Sequence, residues 1–145
     1  MEFDRMTSAG YLVNHMARLL VEILRKRIAP LGIVPGQFPT LLVLWEKDGL
    51  TQKELLALLD IEQATLANTL TRMERDGLIT RKEHPADARA RTIHLTEKGR
   101  SIRDSAHLAA MQINEDVLAD LSDAETQAFL DYMRRVIGRI KEVES

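Results

Sequence analysis

The feature that most constrains this chain is a pair of short helical segments, "TQKELLALL" at residues 51–59 and "QATLANTLTRMERDG" at 63–77, separated only by "DIE". Thr51 and Glu54 form a capping box, in which each side chain satisfies a backbone N–H that the first helical turn leaves unpaired. The second segment sets Leu66, Leu70 and Met73 on one face and Gln63, Thr65, Asn68, Thr69 and Arg72 on another. Gly77 is placed to stop that helix in a left-handed conformation. Two helices joined by so tight a turn, the second showing side-chain donors and acceptors with few acids, have the arrangement of a helix-turn-helix.

The next stretch reads as a hairpin. "LITRKE" and "RTIHLT" alternate as strands do, and "HPADARA" between them offers Pro85 and Asp87 as turn residues. A hairpin directly after a helix-turn-helix is a wing, and arginines near its tip can reach phosphates or a groove once the second helix is docked. Arg89 and Arg91 hold that position, and a narrow minor groove concentrates the negative potential that attracts arginine.

Helices flank this unit on both sides. "YLVNHMARLLVEILRKRI" spaces Leu12, Val13, Met16, Leu19, Leu20, Ile23 and Leu24 as a long amphipathic helix that should end near Pro30 and Gly32. A second helix is expected through "GQFPTLLVLWEKDG", with Pro35 in its first turn, Pro39 tolerated nearby and Gly49 closing it. After the hairpin, "TEKGRSIRDSAHLAAMQINEDVLAD" reads as one helix carrying Ile102, Ala106, Ala109, Ile113 and Val117. Ser122 and Glu125 make a second capping box before "TQAFLDYMRRVIGRIKEVE", where Phe129, Met133, Val136, Ile137 and Ile140 form a stripe. These stripes exceed what a winged core needs, and the surplus fits either a helical dimer interface or packing back onto the same chain. The expected fold is therefore mainly α (α+β): a winged helix-turn-helix over 35–99, with helices at 8–33 and 100–145 as a dimerisation region.

Charge agrees once its distribution is considered. The net charge of −2 combines six Lys/Arg against five Asp/Glu in residues 1–50, ten against eight in 51–103 and four against nine in 104–145. A neutral-to-basic middle beside an acidic end is compatible with a local phosphate-binding face. With no cysteine, the sequence has no disulfide, thiolate metal site or thiol redox switch. No apolar run approaches the ~18 residues of a membrane span and "MEFDRMTSAG" lacks the features of a signal peptide, so a cytoplasmic location is the expectation. His15, His84, His94 and His107 sit in four separate elements, and neither a metal-binding spacing, a phosphate-cradling glycine loop nor a nucleophile elbow occurs. Neither enzymatic chemistry nor a metal or cofactor is expected.

Helix-turn-helix, wing and flanking helices in this order resemble the MarR/SlyA family of transcriptional regulators. The resemblance covers nearly the whole chain and is carried most specifically by "LTQKELLALLDIEQATLANTLTRMERDGLITR" and "DARARTIHLTEKGR", the latter with the family's Asp-x-Arg wing signature as Asp87 and Arg89. It implies a homodimer whose interleaved terminal helices hold two winged domains over a palindromic double-stranded operator, commonly in repression relieved by a small aromatic or anionic ligand. Two departures stand out. Asn68 falls where relatives similar to SlyA tend to have an arginine, and Ala88 replaces the first of the consecutive arginines that many members carry after the Asp.

Roles follow from the chemistry of each side chain. Gln63, Thr65, Asn68, Thr69 and Arg72 are candidate major-groove contacts, with Asn68 able to pair bidentately with adenine. Arg89 is the candidate minor-groove contact, and Lys53, Arg81 and Arg91 are candidate phosphate neutralisers. Asp87 is expected to hold a wing arginine by a charge-assisted bond. The resemblance places an effector pocket near the first two helices, where Arg18 could meet a carboxylate and His15, Phe38 and Trp45 could line the wall. Each also has a plain structural reading: Trp45 as core, Arg18 in a surface ion pair and His15 as a solvated residue. The competing function is a winged helix that binds only protein, as an interaction or scaffold module.

Overall fold

A computed structural model describes residues 1–87 and 89–145; Ala88, noted above in the wing, lies outside them. The chain divides into two compact units, 1–109 and 110–145.

In the first unit, Ser8 caps α1 (Ala9–Ile28) by accepting the Tyr11 N–H. A 3-10 turn at Ala29–Leu31 follows, and Gly32 takes the left-handed conformation (φ 77°). Pro35 opens a separate 3-10 turn, Pro35–Gln37, rather than the second helix itself, and α2 (Phe38–Glu46) begins immediately after with Pro39 in its first turn. Gly49 does not close α2 as the sequence suggests. The helix already ends at Lys47, whose backbone is extended, and Gly49 (φ 77°) instead turns the chain into β1 (Leu50–Thr51) while its N–H donates to the Ile93 carbonyl at 2.9 Å.

The capping box forms as expected. Thr51 Oγ1 accepts the Glu54 N–H at 3.1 Å, Glu54 Oε1 accepts the Thr51 N–H at 3.0 Å, and α3 runs from Gln52 to Leu59. It stops at Asp60, which has φ 53°; a short polar side chain is among the few that tolerate that region. α4 (Gln63–Arg75) follows, with Gly77 at φ 75° beyond its end.

β2 (Ile79–Glu83) and β3 (Arg91–Leu95) form the antiparallel hairpin, in a register that sets Ile79 opposite Leu95 and Glu83 opposite Arg91. β1 pairs with the other edge of β3, giving the order β1-β3-β2. Leu41, Leu44, Leu55, Leu66, Leu70, Met73, Leu78, Ile79 and Ile93 are buried in the core of this unit. Burying each such side chain is worth about 1.5–3 kcal/mol.

The segment after the wing corrects the sequence reading: one helix was expected and two are found, α5 (Glu97–Ser101) and α6 (Arg103–Val117). The reason lies in what the short helix grips. Thr96 caps α5 through the Gly99 N–H and also donates its hydroxyl to the Gly77 carbonyl, Lys98 Nζ donates to the Asp76 carbonyl at 2.9 Å, and Arg100 donates to the Leu95 carbonyl at 2.8 Å. Gly99 passes so close to Leu78 that a Cβ would collide with the Leu78 carbonyl oxygen. These bonds hold α5 to the end of α4 and to the inner end of β3, and Ile102 (φ −90°, ψ −5°) separates it from α6.

In the second unit, Ser122 and Glu125 form their capping box and start α7 (Asp123–Glu144). Along α7 Tyr132, Val136, Ile137, Ile140 and Val143 are all exposed. Among the described residues no single helix is long and apolar enough to cross a membrane.

Candidate nucleic-acid interface

The helix-turn-helix presents one outward face of α4. At about 100° per residue, Thr65, Asn68 and Arg72 lie within roughly 60° of one another on the side away from Leu66, Leu70 and Met73. All three are exposed, while Thr69, at the edge of that face, is half-buried. Gln63 departs from the sequence grouping: it is exposed but lies roughly 160° around the helix from Thr65, at the first residue of α4.

Gln63 belongs instead to a cleft of about 760 Å³ bounded by α3, the start of α4 and the wing, whose lining also includes Lys53, Arg81, Arg89 and Arg91. The structure thus gathers five of the candidate DNA contacts around one concavity and leaves Thr65, Asn68, Thr69 and Arg72 on a separate surface of α4. Cations converging on a concave surface concentrate positive potential there.

At the wing tip, Asp87 Oδ1 accepts the backbone N–H of Arg89 at 3.0 Å and lies 3.7 Å from the Arg89 Nε. The Arg89 side chain is 96% exposed, so the carboxylate orders its base without covering its end. The Ala90 N–H donates to the Asp87 carbonyl at 3.1 Å, the Ala86 N–H to His84 Nδ1 at 3.0 Å and the His84 N–H to the Ala90 carbonyl at 2.9 Å. Among the described residues of the tip, His84, Ala86, Asp87, Arg89 and Ala90 are bonded to one another. Arg91, exposed on β3, stands opposite Glu83.

Arg81 is disposed differently from the other cations. Its side chain is only 18% exposed, it donates to Thr71 Oγ1 at 3.3 Å, and its Nε lies 4.0 Å from a Glu74 carboxylate oxygen. It therefore ties β2 to α4.

Two carboxyls near these helices are held below their ordinary pKa. For Glu54 the cause is the pair of hydrogen bonds to the Thr51 backbone and hydroxyl. For Asp76, at the C-terminal end of α4, it is first the side-chain amide of Gln37 and then Arg75. Gln37, Asp76 and the group Thr96, Lys98 and Gly99 escaped sequence reasoning. Only the glycine in "TEKGR" offered a signal, as a position where another backbone can come close.

The residues considered for an effector are spread over two helices. His15 and Arg18 are exposed on α1, and the ring neighbour of His15 is Tyr11, at 5.9 Å. Phe38 is buried and meets Trp45 edge-on at 6.2 Å; Trp45 also meets His107 edge-on at 5.2 Å and donates its indole N–H to the Gly99 carbonyl at 2.9 Å. The aromatic pair is part of the packing that joins α2 to α5.

A tight helix pair with a polar outer face, followed by a three-stranded wing carrying a cationic tip, defines a winged helix-turn-helix of the transcription-regulator class. The MarR family model matches residues 33–90. The organic hydroperoxide resistance transcriptional regulator of Bacillus subtilis is 35% identical over 108 residues, which are 72% of this chain and 74% of that one. The crystal structure of the transcriptional regulator SlyA superposes with a TM-score of 0.87 at 26% identity, covering 94% of this chain and 96% of that one. A MarR-family regulator from Listeria monocytogenes, solved in complex with a 26mer DNA, superposes with a TM-score of 0.86 at 24% identity over 94% of this chain and 91% of that one. The chain belongs to the MarR family and is a transcriptional regulator, not an enzyme.

Proposed function

We propose that the protein acts as a homodimer on a palindromic operator, repressing the genes it controls by occupying their promoter. The observation that carries this reading is the pairing, within one compact unit, of an exposed Thr65–Asn68–Arg72 face on α4 with an exposed Arg89 whose base is ordered by Asp87. Thr65, Asn68, Thr69 and Arg72 take the major groove, Arg89 the minor groove, and Lys53 and Arg91 neutralise phosphates, with Gln63 beside them at the cleft. Arg81 holds the wing on α4 and is assigned no phosphate. The apolar stripe of α7 supplies the second half of the reading, because a partner copy would cover it.

Release by a small aromatic or anionic molecule completes the proposal. Kinship with ligand-responsive members of the family supports this part of the reading, and with no cysteine in the sequence thiol oxidation is not the trigger. Arg18 and His15, exposed on α1, are the polar partners proposed for such a molecule, whereas Phe38 and Trp45, packed between α2 and α5, are not assigned to it.

The deciding experiment is binding of the purified protein to DNA from its own upstream intergenic region, beside a scrambled duplex, at two salt concentrations. Salt-sensitive, sequence-selective binding that Arg89→Ala weakens supports the regulator reading. Absence of binding at low salt overturns it in favour of a module that binds protein alone.

A further inference from the structure

The C-terminal end of α4 carries a residue that the electrostatics of a helix disfavour. Asp76 places a carboxylate where the helix macrodipole is negative and where Lys, Arg or His is the usual choice. Its Oδ2 accepts a 2.9 Å hydrogen bond from Nε2 of Gln37, and its Oδ1 a 3.2 Å bond from Arg75 Nε. Gln37 is the more unusual partner, for its side chain is polar and the residue is only 2% exposed. A buried amide is costly unless both ends are satisfied, and here they are: Oε1 accepts the Val34 N–H at 3.3 Å while Nε2 reaches Asp76. Residues 37 and 76 are 39 apart in sequence, so this bond serves tertiary placement rather than local turn formation.

The Pro35–Gln37 turn is also where three helices come together: it contacts α1, leads directly into α2 and touches α4. Lys98 grips the backbone of the same helix end through the Asp76 carbonyl. Lys98 thus fixes where α4 ends, and Gln37 fixes the side chain beyond that end against the junction of α1 and α2.

We propose that Gln37, through Asp76, is a positioning residue that sets the angle of the α4 recognition helix and thereby the half-site spacing the protein prefers. The inference rests on the operator-binding homodimer proposed above. Two recognition helices reach successive major grooves only if their separation matches the spacing of the half-sites, so a small rotation of α4 at its anchored end changes which spacing fits.

The test begins by selecting a best duplex from a randomised pool with the wild-type protein, then building derivatives whose centre is longer or shorter by one or two base pairs. Gln37→Leu removes both polar ends of the tie, Asp76→Ala removes the acceptor, and Asp76→Asn keeps an oxygen for the Gln37 amide. Gln37→Leu and Asp76→Ala are expected to weaken binding to the selected spacing by about tenfold, with much smaller losses on the altered spacings. Asp76→Asn is expected to keep the wild-type profile, and all variants the wild-type salt slope, because no phosphate contact is lost. If Gln37→Leu fails to fold, Asp76→Ala beside Asp76→Asn decides the matter at the surface end of the tie. A spacing profile unchanged in folded Gln37→Leu or Asp76→Ala overturns the inference while leaving the operator reading intact; a wild-type protein that enriches no duplex overturns the operator reading itself.

Discussion

Arg81 of β2 reaches across to α4 and donates a hydrogen bond to Thr71 Oγ1 at 3.3 Å, so one strand of the wing is fastened to the recognition helix by a guanidinium. A cation used this way differs from one that waits for a phosphate. Arg81→Ala is expected to lower the thermal midpoint by a few degrees, the cost of about 1 kcal/mol, while leaving the slope of log affinity against log salt unchanged. Arg91→Ala should do the reverse, preserving the midpoint and reducing that slope by about 0.9, the contribution of one neutralised phosphate. Thermal melts and DNA titrations at several salt concentrations separate the two.

Asn68 stands on the exposed face of α4 beside Arg72 and Thr65. Its amide can donate to and accept from adenine at once, so Asn68→Ala is expected to lose about 1–3 kcal/mol of discrimination at a single A·T position and little elsewhere. A binding series over operators substituted one base pair at a time checks this; equal base preference in wild type and variant would dismiss Asn68 as a reader.

Gly99 cannot become alanine without moving the backbone of Leu78. Gly99→Ala is expected to destabilise the first unit by about 1–3 kcal/mol, the usual cost of forcing extra volume into a packed site. Its sole tryptophan, Trp45, which hydrogen-bonds the Gly99 carbonyl, makes chemical denaturation followed by fluorescence a direct readout.

Glu54 gives a pH dependence whose sign can be worked out. Its folded-state pKa lies below the unfolded value because Thr51 bonds the charged form, so the stability it contributes is present above the unfolded value and is lost as pH falls through the folded one. Glu54→Ala is therefore expected to lower the midpoint at neutral pH and to flatten the acid limb of a plot of midpoint against pH. Parallel curves for variant and wild type would show that the capping bond contributes nothing to that limb.

Ile137 lies on the exposed apolar stripe of α7 with Val136 and Ile140. In the proposed homodimer a charge there would be buried, and Ile137→Asp should convert the dimer to monomer in sedimentation while weakening DNA binding far more than a surface change would. A variant that sediments as the wild type does would move the dimer contact to another face.

What could be read from the sequence was local. Thr51 with Glu54, Ser122 with Glu125, and Gly77 each announce a helix end through chemistry confined to a few residues, and the alternation of "RTIHLT" is long enough to show its period. β1 escaped because two residues have no period, and its pairing with β3 depends on Gly49 bringing distant segments together. The break at Ile102 escaped for a related reason: no proline or glycine marks it, and its cause is the grip of Thr96, Lys98 and Arg100 on carbonyls outside their own helix. At the site, the grouping of Thr65, Asn68 and Arg72 on α4 was legible from spacing, Gln63 falls outside it, and the part of Asp87 in holding a wing arginine was legible from its charge. The fastening of Arg81 and the Gln37–Asp76 bond were not, since each joins segments whose proximity only the folded chain creates.

The grip of α5 on the end of α4 leaves the outer face of that helix free of structural duty. Thr65, Asn68 and Arg72 can be exchanged without touching the bonds from Thr96 and Lys98, whereas Thr96 and Lys98, which supply the donors, cannot be exchanged without losing them. A chain built this way can acquire a new operator by drift on one surface while its scaffold stands still, and an engineer could vary the same three positions as a library with little risk to folding.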